Sequence, residues 1–328
     1  CTGHAPVRSS VQSVPISSLR FWRAFAITLR PYLMFLSLAA GLCGLALTQP
    51  GNLWPLYALA FFFSYGLGQA ITDTFQTDTD ALSSPYRPLV RGEVSRSQVL
   101  IMALLGMTAC GIVIFYANPW TALPAVAGTV GLITYTWFKR RWWGGPPWNA
   151  WIVAMLPLMG VLCGGSTPAA ALARTDVQLA MIGVFATYVP FVILGYLKDV
   201  SADAATGYQT IVIRFGSRVA IAVSLLHAVV GAIASAALVT KSTFSFGAQP
   251  TLLLWGSGWA LLFAAHLRLW IDPREETAYS GIALSASGFV AIHLGEAALL
   301  QPGFQGFSMI AFAISVWMLW RRPMRKQI

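Results

Sequence analysis

The chain has 328 residues, a formal net charge of +10, 57% hydrophobic and only 10% charged residues, and a mean hydropathy of +0.67. So little charge against so much apolar surface excludes an ordinary soluble domain and points to an integral membrane protein. The basic residues are scattered through the loops rather than gathered in one soluble domain, which argues against a nucleic-acid partner.

Residues 1–20 lack the apolar core of a signal peptide, and 1–30 are expected to form a flexible cytoplasmic tail. Residues 31–328 are expected to form a single all-α domain, a polytopic membrane helical bundle of nine to ten helices. Apolar runs long enough to cross roughly 30 Å of hydrocarbon lie at 32–48, 53–72, 97–117, 120–138, 148–165, 178–197, 218–240, 250–271, 280–299 and 305–320. With a cytoplasmic N-terminus and ten spans, Arg174 and Lys241 are the only basic residues in external loops, as the positive-inside rule requires. An even count also keeps Arg321, Arg322, Arg325 and Lys326 inside, and both acidic clusters then face the cytoplasm.

The second predicted span runs into Gln69, Thr72, Asp73, Gln76, Asp78 and Asp80. If it continues as helix, positions 69, 73, 76 and 80 are four, three and four residues apart and share one face, whereas Asp78 falls off it. Carboxylates at the edge of a bilayer core require a cavity, a partner or a metal. Pro85 and Pro88 end the helix, and Arg87 and Arg91 place positive charge just beyond. The fourth span closes on Tyr135 and then on Lys139, Arg140 and Arg141, three cations suited to a diphosphate.

The sixth span ends at Tyr196, Lys198, Asp199 and Asp203. Asp199 and Asp203 stand one helical turn apart, so their repulsion calls for a compensating cation. Magnesium, which takes hard oxygen ligands together with substrate phosphates, meets that demand. Asp73 and Asp199 are four spans apart, so two halves, about 31–145 and 146–328, carry like features at like positions. The four cysteines show no CxxC pairing and are assigned no chemistry. His227, His266 and His293 are read as interior structural histidines, with Glu296 on the same helix face as His293.

Together these residues resemble the UbiA superfamily of intramembrane prenyltransferases from about residue 30 onward. The first family motif is matched by Thr72, Asp73, Gln76 and Asp80 with Pro85-Tyr86-Arg87-Pro88, and the second by Asp199, Asp203, Gly207, Thr210 and Gly216. The family's Tyr-x-x-x-Lys-Arg segment is matched by Tyr135, Lys139 and Arg140. The chain departs from the pattern at Thr72, where Asn is usual, and at Gln76 and Tyr196, where acids are usual. The Pro-Tyr-Arg-Pro stretch is most similar to the branch of chlorophyll synthases and geranylgeranylglyceryl phosphate synthases.

The resemblance implies a helical bundle around a central cavity with a polar cap on the cytoplasmic side and an opening toward lipid. It implies transfer of a prenyl group from a polyprenyl diphosphate to a lipophilic acceptor, with Mg2+ held by Asp73, Gln76, Asp80, Asp199 and Asp203, and without a protein partner. Lys139, Arg140 and Arg87 would stabilise the leaving diphosphate, and Thr72, Tyr135, Tyr196 and Lys198 would line the substrate. Phe75, Tyr135, Tyr188 and Tyr196 are candidates to shield a carbocation. The alternatives are a UbiA-type terpene cyclase, in which the prenyl cation is captured by its own double bonds, and a membrane transporter, although the acids sit at span ends rather than at midplane.

Overall fold

A computed structural model describes residues 13–49, 51–241 and 249–322. Among them the fold is all-helical, with no strand. The expected tail up to residue 12, Cys1 included, and Arg325 and Lys326 lie outside the described residues.

All ten predicted spans coincide with helices. They are α2 (Phe35–Ala46), α3 (Trp54–Asp73), α5 (Arg96–Ala117), α6 (Ala122–Arg141), α7 (Gly145–Leu162), α9 (Thr175–Tyr196), α12 (Ser217–Val239), α13 (Gln249–Ile271), α14 (Ala278–Leu300) and α15 (Gln305–Arg321). Five shorter helices complete the fold: α1 (Leu19–Leu29), α4 (Thr77–Ser83), α8 (Pro168–Leu172), α10 (Val200–Ala205) and α11 (Ile211–Phe215). Six helices, α5, α9, α12, α13, α14 and α15, are long and apolar enough to cross a membrane on those criteria alone. A seventh follows if α1 and α2, bent by 55° at their junction, count as one span. The shortfall from ten has a chemical cause, because α3, α6 and α7 carry polar, aromatic and basic residues within their length.

Residues 19–29 correct one expectation. They are a helix rather than flexible tail, capped by the Ser18 hydroxyl on the Phe21 N–H at 3.1 Å. Phe21, Ala24, Phe25 and Thr28 form its buried face, which packs with Leu67, Ala70 and Ile71 of α3.

Helices α2, α7, α9 and α14 form the inside of the bundle, and every residue of α2 is buried. The remaining long helices surround them, α3 and α6 on one side and α12 and α13 on the other. Close packing in a membrane relies on small residues that let backbones approach. A Cβ on Gly160 of α7 would lie 2.6 Å from both the Gly41 carbonyl oxygen and the Leu45 nitrogen of α2. Gly288 and Gly258 serve the α13–α14 contact, where a Cβ on Gly288 would fall 2.8 Å from the Gly258 carbonyl.

The succession α2, α3, α4, α5, α6 is followed by α7, α9, α10, α12, α13, and each series packs its first helix on its second and its second on its long outer helix. The backbone therefore repeats even though the residues do not.

Gly160→Ala is expected to destabilise the protein by about 1–3 kcal/mol, read as a lower melting temperature in detergent. Gly256→Ala, with nothing within 4 Å of the added carbon, should leave it unchanged.

Candidate active site

The acidic clusters come together at one end of the bundle, on two segments of the same construction. Helix α3 does not run on through Asp80 as the spacing suggested; it stops at Asp73, and α4 starts anew at Thr77. Thr72 and Thr74 favour the break, since their hydroxyls bond the carbonyls of Gln69 at 3.0 Å and Ile71 at 2.7 Å. Helix α9 stops likewise at Tyr196 and α10 starts at Val200. Gln76 (φ −120°, ψ 18°) and Asp199 (φ −119°, ψ 14°) cap the short helices with the same backbone. Their carbonyls accept from the N–H of Asp80 at 2.9 Å and of Asp203 at 2.8 Å.

This register corrects the pairing read from sequence. Gln76, not Asp73, is the counterpart of Asp199, Asp80 is that of Asp203, and Asp73 at the end of α3 matches Tyr196 at the end of α9. Each half thus departs from an acid at a different one of the three positions. The two segments touch through the hydroxyls of Thr79 and Thr206, 3.0 Å apart.

Every one of these carboxylates meets a cation. Arg30 holds both oxygens of Asp73 at 2.6–2.7 Å and also donates to Gln69 at 2.7 Å. Arg87, set between Pro85 and Pro88, pairs with Asp80 and stands 3.5 Å from Asp73. Lys139 Nζ reaches Asp203 at 3.2 Å and Gln76 Oε1 at 3.4 Å, so a single ammonium joins the two clusters. Lys198 binds both oxygens of Asp199 at 2.8 Å. Arg140 binds both oxygens of Asp78 at 2.6–2.7 Å on the outer rim, where Asp78 is exposed, in line with its place off the predicted face.

The electrostatics differ between neighbours. Burial pushes the Asp203 carboxyl above its ordinary value despite Lys139. At Asp199 burial acts the same way but is outweighed by Lys198 and Lys139, which hold that carboxyl below its ordinary value. Burial pushes the Asp80 carboxyl up against the pull of Arg87, and Asp73 and Asp199 add to the push. One field therefore covers both clusters.

Aromatic rings floor the polar cap. The hydroxyls of Tyr135 and Tyr196 are 2.7 Å apart, and Lys139 Nζ lies 5.0 Å from the Tyr196 ring centroid and 4.8 Å from that of Tyr208. Arg140 also lies over the Tyr208 ring, 4.5 Å from its centroid. Phe75 differs from expectation: it is exposed on the break after α3 and does not line the cavity. The second motif's remaining residues shape the backbone. Gly207 and Gly216 adopt φ of 75° and 82°, and Thr210 caps α11.

Below the cap lies a cavity of about 430 Å³ walled by α3, α5, α6 and α7, with Tyr188 of α9 at its inner side. Its lining is apolar except for a few groups such as Gln69 and Asn149, and these two lead to the cap. Gln69 bonds Arg30, and Asn149 neighbours the Tyr135 hydroxyl. Helices α5 and α6 barely touch, and between them Ile112, Phe115, Val126 and Val130 line the cavity while remaining exposed. The cavity thus opens sideways, toward the lipid face.

Arg30, Tyr208 and the Thr79–Thr206 contact escaped the sequence reading, whereas Gln69 lies on the face that its spacing predicts. Arg30 carried a signal nonetheless, an arginine next to Pro31 at the mouth of an apolar run, and it adopts a left-handed φ of 50° to reach Asp73. Thr72, by contrast, turns its hydroxyl to its own helix.

The donor set fits a hard divalent cation. Asp73, Asp80, Asp199, Asp203 and Gln76 offer only oxygen, and Oδ2 of Asp203 is buried with no hydrogen-bond partner among the described residues.

Known proteins resemble the chain over most of its length. Digeranylgeranylglyceryl phosphate synthase of Thermococcus kodakarensis is 28% identical over 278 residues, 83% of this chain and 96% of that protein. The same enzyme of Natronomonas pharaonis is 28% identical over 268 residues, 80% of this chain and 93% of its own length. Among solved structures, a UbiA homologue from Aeropyrum pernix K1 superposes with a TM-score of 0.68 at 19% identity, covering 80% of this chain and 96% of that one. A UbiA homologue from Archaeoglobus fulgidus bound to GPP and Mg2+ gives 0.62 at 15% identity, covering 90% and 99%. The model of the UbiA prenyltransferase family matches residues 33–286, most of the chain, and the chain therefore belongs to that family of integral membrane prenyltransferases.

Proposed function

We propose that this prenyltransferase takes a prenyl group from a polyprenyl diphosphate, passes it to a lipophilic acceptor and releases diphosphate, with Mg2+ bound and the polar cap facing the cytoplasm. The observation that carries this reading is the junction of an apolar cavity with a cap in which five cations meet five carboxylates, Arg30, Arg87, Lys139, Arg140 and Lys198 with Asp73, Asp80, Asp203, Asp78 and Asp199. A greasy tail with a polyanionic head requires such a junction. The A. fulgidus homologues bound to GPP or DMAPP with Mg2+ support the donor and the metal, and the relatives' name, that of a synthase of a prenylated glyceryl phosphate, supports a lipophilic acceptor.

Asp80, Asp199 and Asp203, with Asp73 and Gln76, would hold Mg2+, which when bound neutralises charge growing on the leaving diphosphate. Lys139 and Arg140 close the cap from the α6 end and would bind diphosphate oxygens, and Arg87 and Arg30 would do so from the other side. Lys198 keeps Asp199 oriented. As the allylic C–O bond breaks, Tyr188, which lines the cavity, and the Tyr135–Tyr196 pair at the cap would shield the positive carbon, and the apolar walls would keep water from it. Thr72 would support the end of α3 from within.

We place α3, α6 and α7 among the spans, which gives ten when α1 and α2 count as one. Eighteen to twenty residues suffice to cross the hydrocarbon core. The bias of Arg and Lys toward the cap end supports a cytoplasmic site.

Asp203→Asn and Lys139→Met should each lower kcat/KM by about 10²-fold or more with folding retained; near-normal turnover in both, assayed as diphosphate release, contradicts the assignment. Chelation by EDTA should abolish product formation and added Mg2+ restore it. Arg30→Gln should loosen Asp73 and raise KM for the donor, measured in detergent micelles. Gly111→Phe, which fills the gap on the α5 side, should cut turnover of long donors more than of dimethylallyl diphosphate; equal loss for both would separate the tail from this cavity.

A further inference from the structure

In the half of the bundle away from the cap, polar groups that the transfer reaction leaves unused form a second cluster. His293 and Glu296 stand one turn apart on α14, with Nδ1 of His293 2.6 Å from Oε2 of Glu296. Cys43, near the end of α2, brings its Sγ to 3.4 Å from the same oxygen. One donor atom from each residue lies within 4.8 Å of the others, and none of the three is more than 1% exposed. The other Glu296 oxygen accepts from the Ser235 hydroxyl of α12, which itself accepts from Trp255 Nε1 of α13 at 2.9 Å. Nε2 of His293 is 2.7 Å from Oγ1 of Thr187 on α9.

His293 is held through both ring nitrogens, Nε2 at 2.7 Å from Thr187 Oγ1 and Nδ1 at 2.6 Å from Glu296 Oε2. Nδ1 and the carboxylate can stand that close only with one proton or a metal ion between them, because each otherwise presents a lone pair.

A divalent ion satisfies the requirement and leaves the cluster neutral. A divalent ion, a neutral imidazole, a carboxylate and a thiolate sum to zero. Binding displaces the proton of Cys43 and the one between His293 and Glu296, and the filled site leaves no net charge in the low-dielectric interior. The donor set of one sulfur, one imidazole nitrogen and one carboxylate is that of zinc, and unlike the all-oxygen cap it disfavours magnesium. The surroundings are those of a metal site as well, with the outer ring N–H fixed by Thr187 and the carboxylate steadied by Ser235 and Trp255.

We propose that Cys43, His293 and Glu296 form a structural site for a zinc-type divalent ion, distinct from the Mg2+ of the cap, which ties α2 of the first half to α14 and, through the surrounding hydrogen bonds, braces α9, α12 and α13. Because the three ligands are sealed, the ion enters as the bundle assembles and not afterwards.

The test uses full-length protein purified in detergent from zinc-replete cells and dialysed against EDTA. Elemental analysis should find about one zinc per chain. Cells grown with cobalt in place of zinc should yield protein with a thiolate-to-cobalt charge-transfer band in the near ultraviolet. The band should persist in Asp203→Asn and in a variant that keeps Cys43 as its single cysteine (Cys1→Ser, Cys110→Ser, Cys163→Ser), and vanish in Cys43→Ser. Monodisperse, active wild-type protein without stoichiometric transition metal overturns the proposal, and so does bound cobalt that gives no charge-transfer band. Either result leaves a proton between His293 and Glu296.

Discussion

Charge neutrality at the edge of an apolar bundle is the constraint on which the site depends. Carboxylates buried beside hydrocarbon are held only when paired and hydrogen-bonded, and here Asp73, Asp80, Asp199 and Asp203 each have a dedicated cation. The pairs are drawn from separate helices, so satisfying them pins α1, α3, α4, α6 and α10 into one cap. Arg30 to Asp73, Arg87 to Asp80 and Lys139 to Asp203 are thereby structural contacts, and under the proposed reaction they would also meet the diphosphate. A polyanion arriving with a compensating divalent ion can exchange partners with them without leaving any charge bare.

Two short helices, each begun after a three-residue break, deliver this arrangement. The break matters because a continuous helix would carry Asp80 and Asp203 onward along the axis. Restarting the backbone at Gln76 and Asp199 turns the next carboxylate inward in both halves. The same geometry tolerates an amide at one cap and a phenol at the other helix end, since Lys139 collects Gln76 while Tyr196 binds Tyr135.

Much of this was legible in the sequence. Ten apolar runs map onto ten helices, and the acids of two span ends meet Arg87, Lys139 and Arg140 at one end of the bundle, as their clustering suggests. What the sequence hid was tertiary. The break after Asp73 comes from threonines whose back-bonding competes with the helix ladder, a weak local signal beside strong hydrophobicity. The register Gln76 to Asp199 was concealed because the residues differ while the backbone repeats. Arg30 lay in a segment read as tail, and only the packing of Phe21 and Phe25 against α3 brings it to Asp73. Cys43 and Glu296 are brought together by the packing of α2 on α14, a proximity that no local spacing rule encodes.

The sideways mouth between α5 and α6, edged by Ile112, Phe115, Val126 and Val130, has a kinetic consequence. Under the proposed reaction both tails arrive by two-dimensional diffusion within the leaflet and never pass through water. Turnover is then governed by the mole fraction of substrate among the surrounding lipids. Diluting the vesicle surface with inert phospholipid slows the enzyme even when the bulk amount of substrate is fixed.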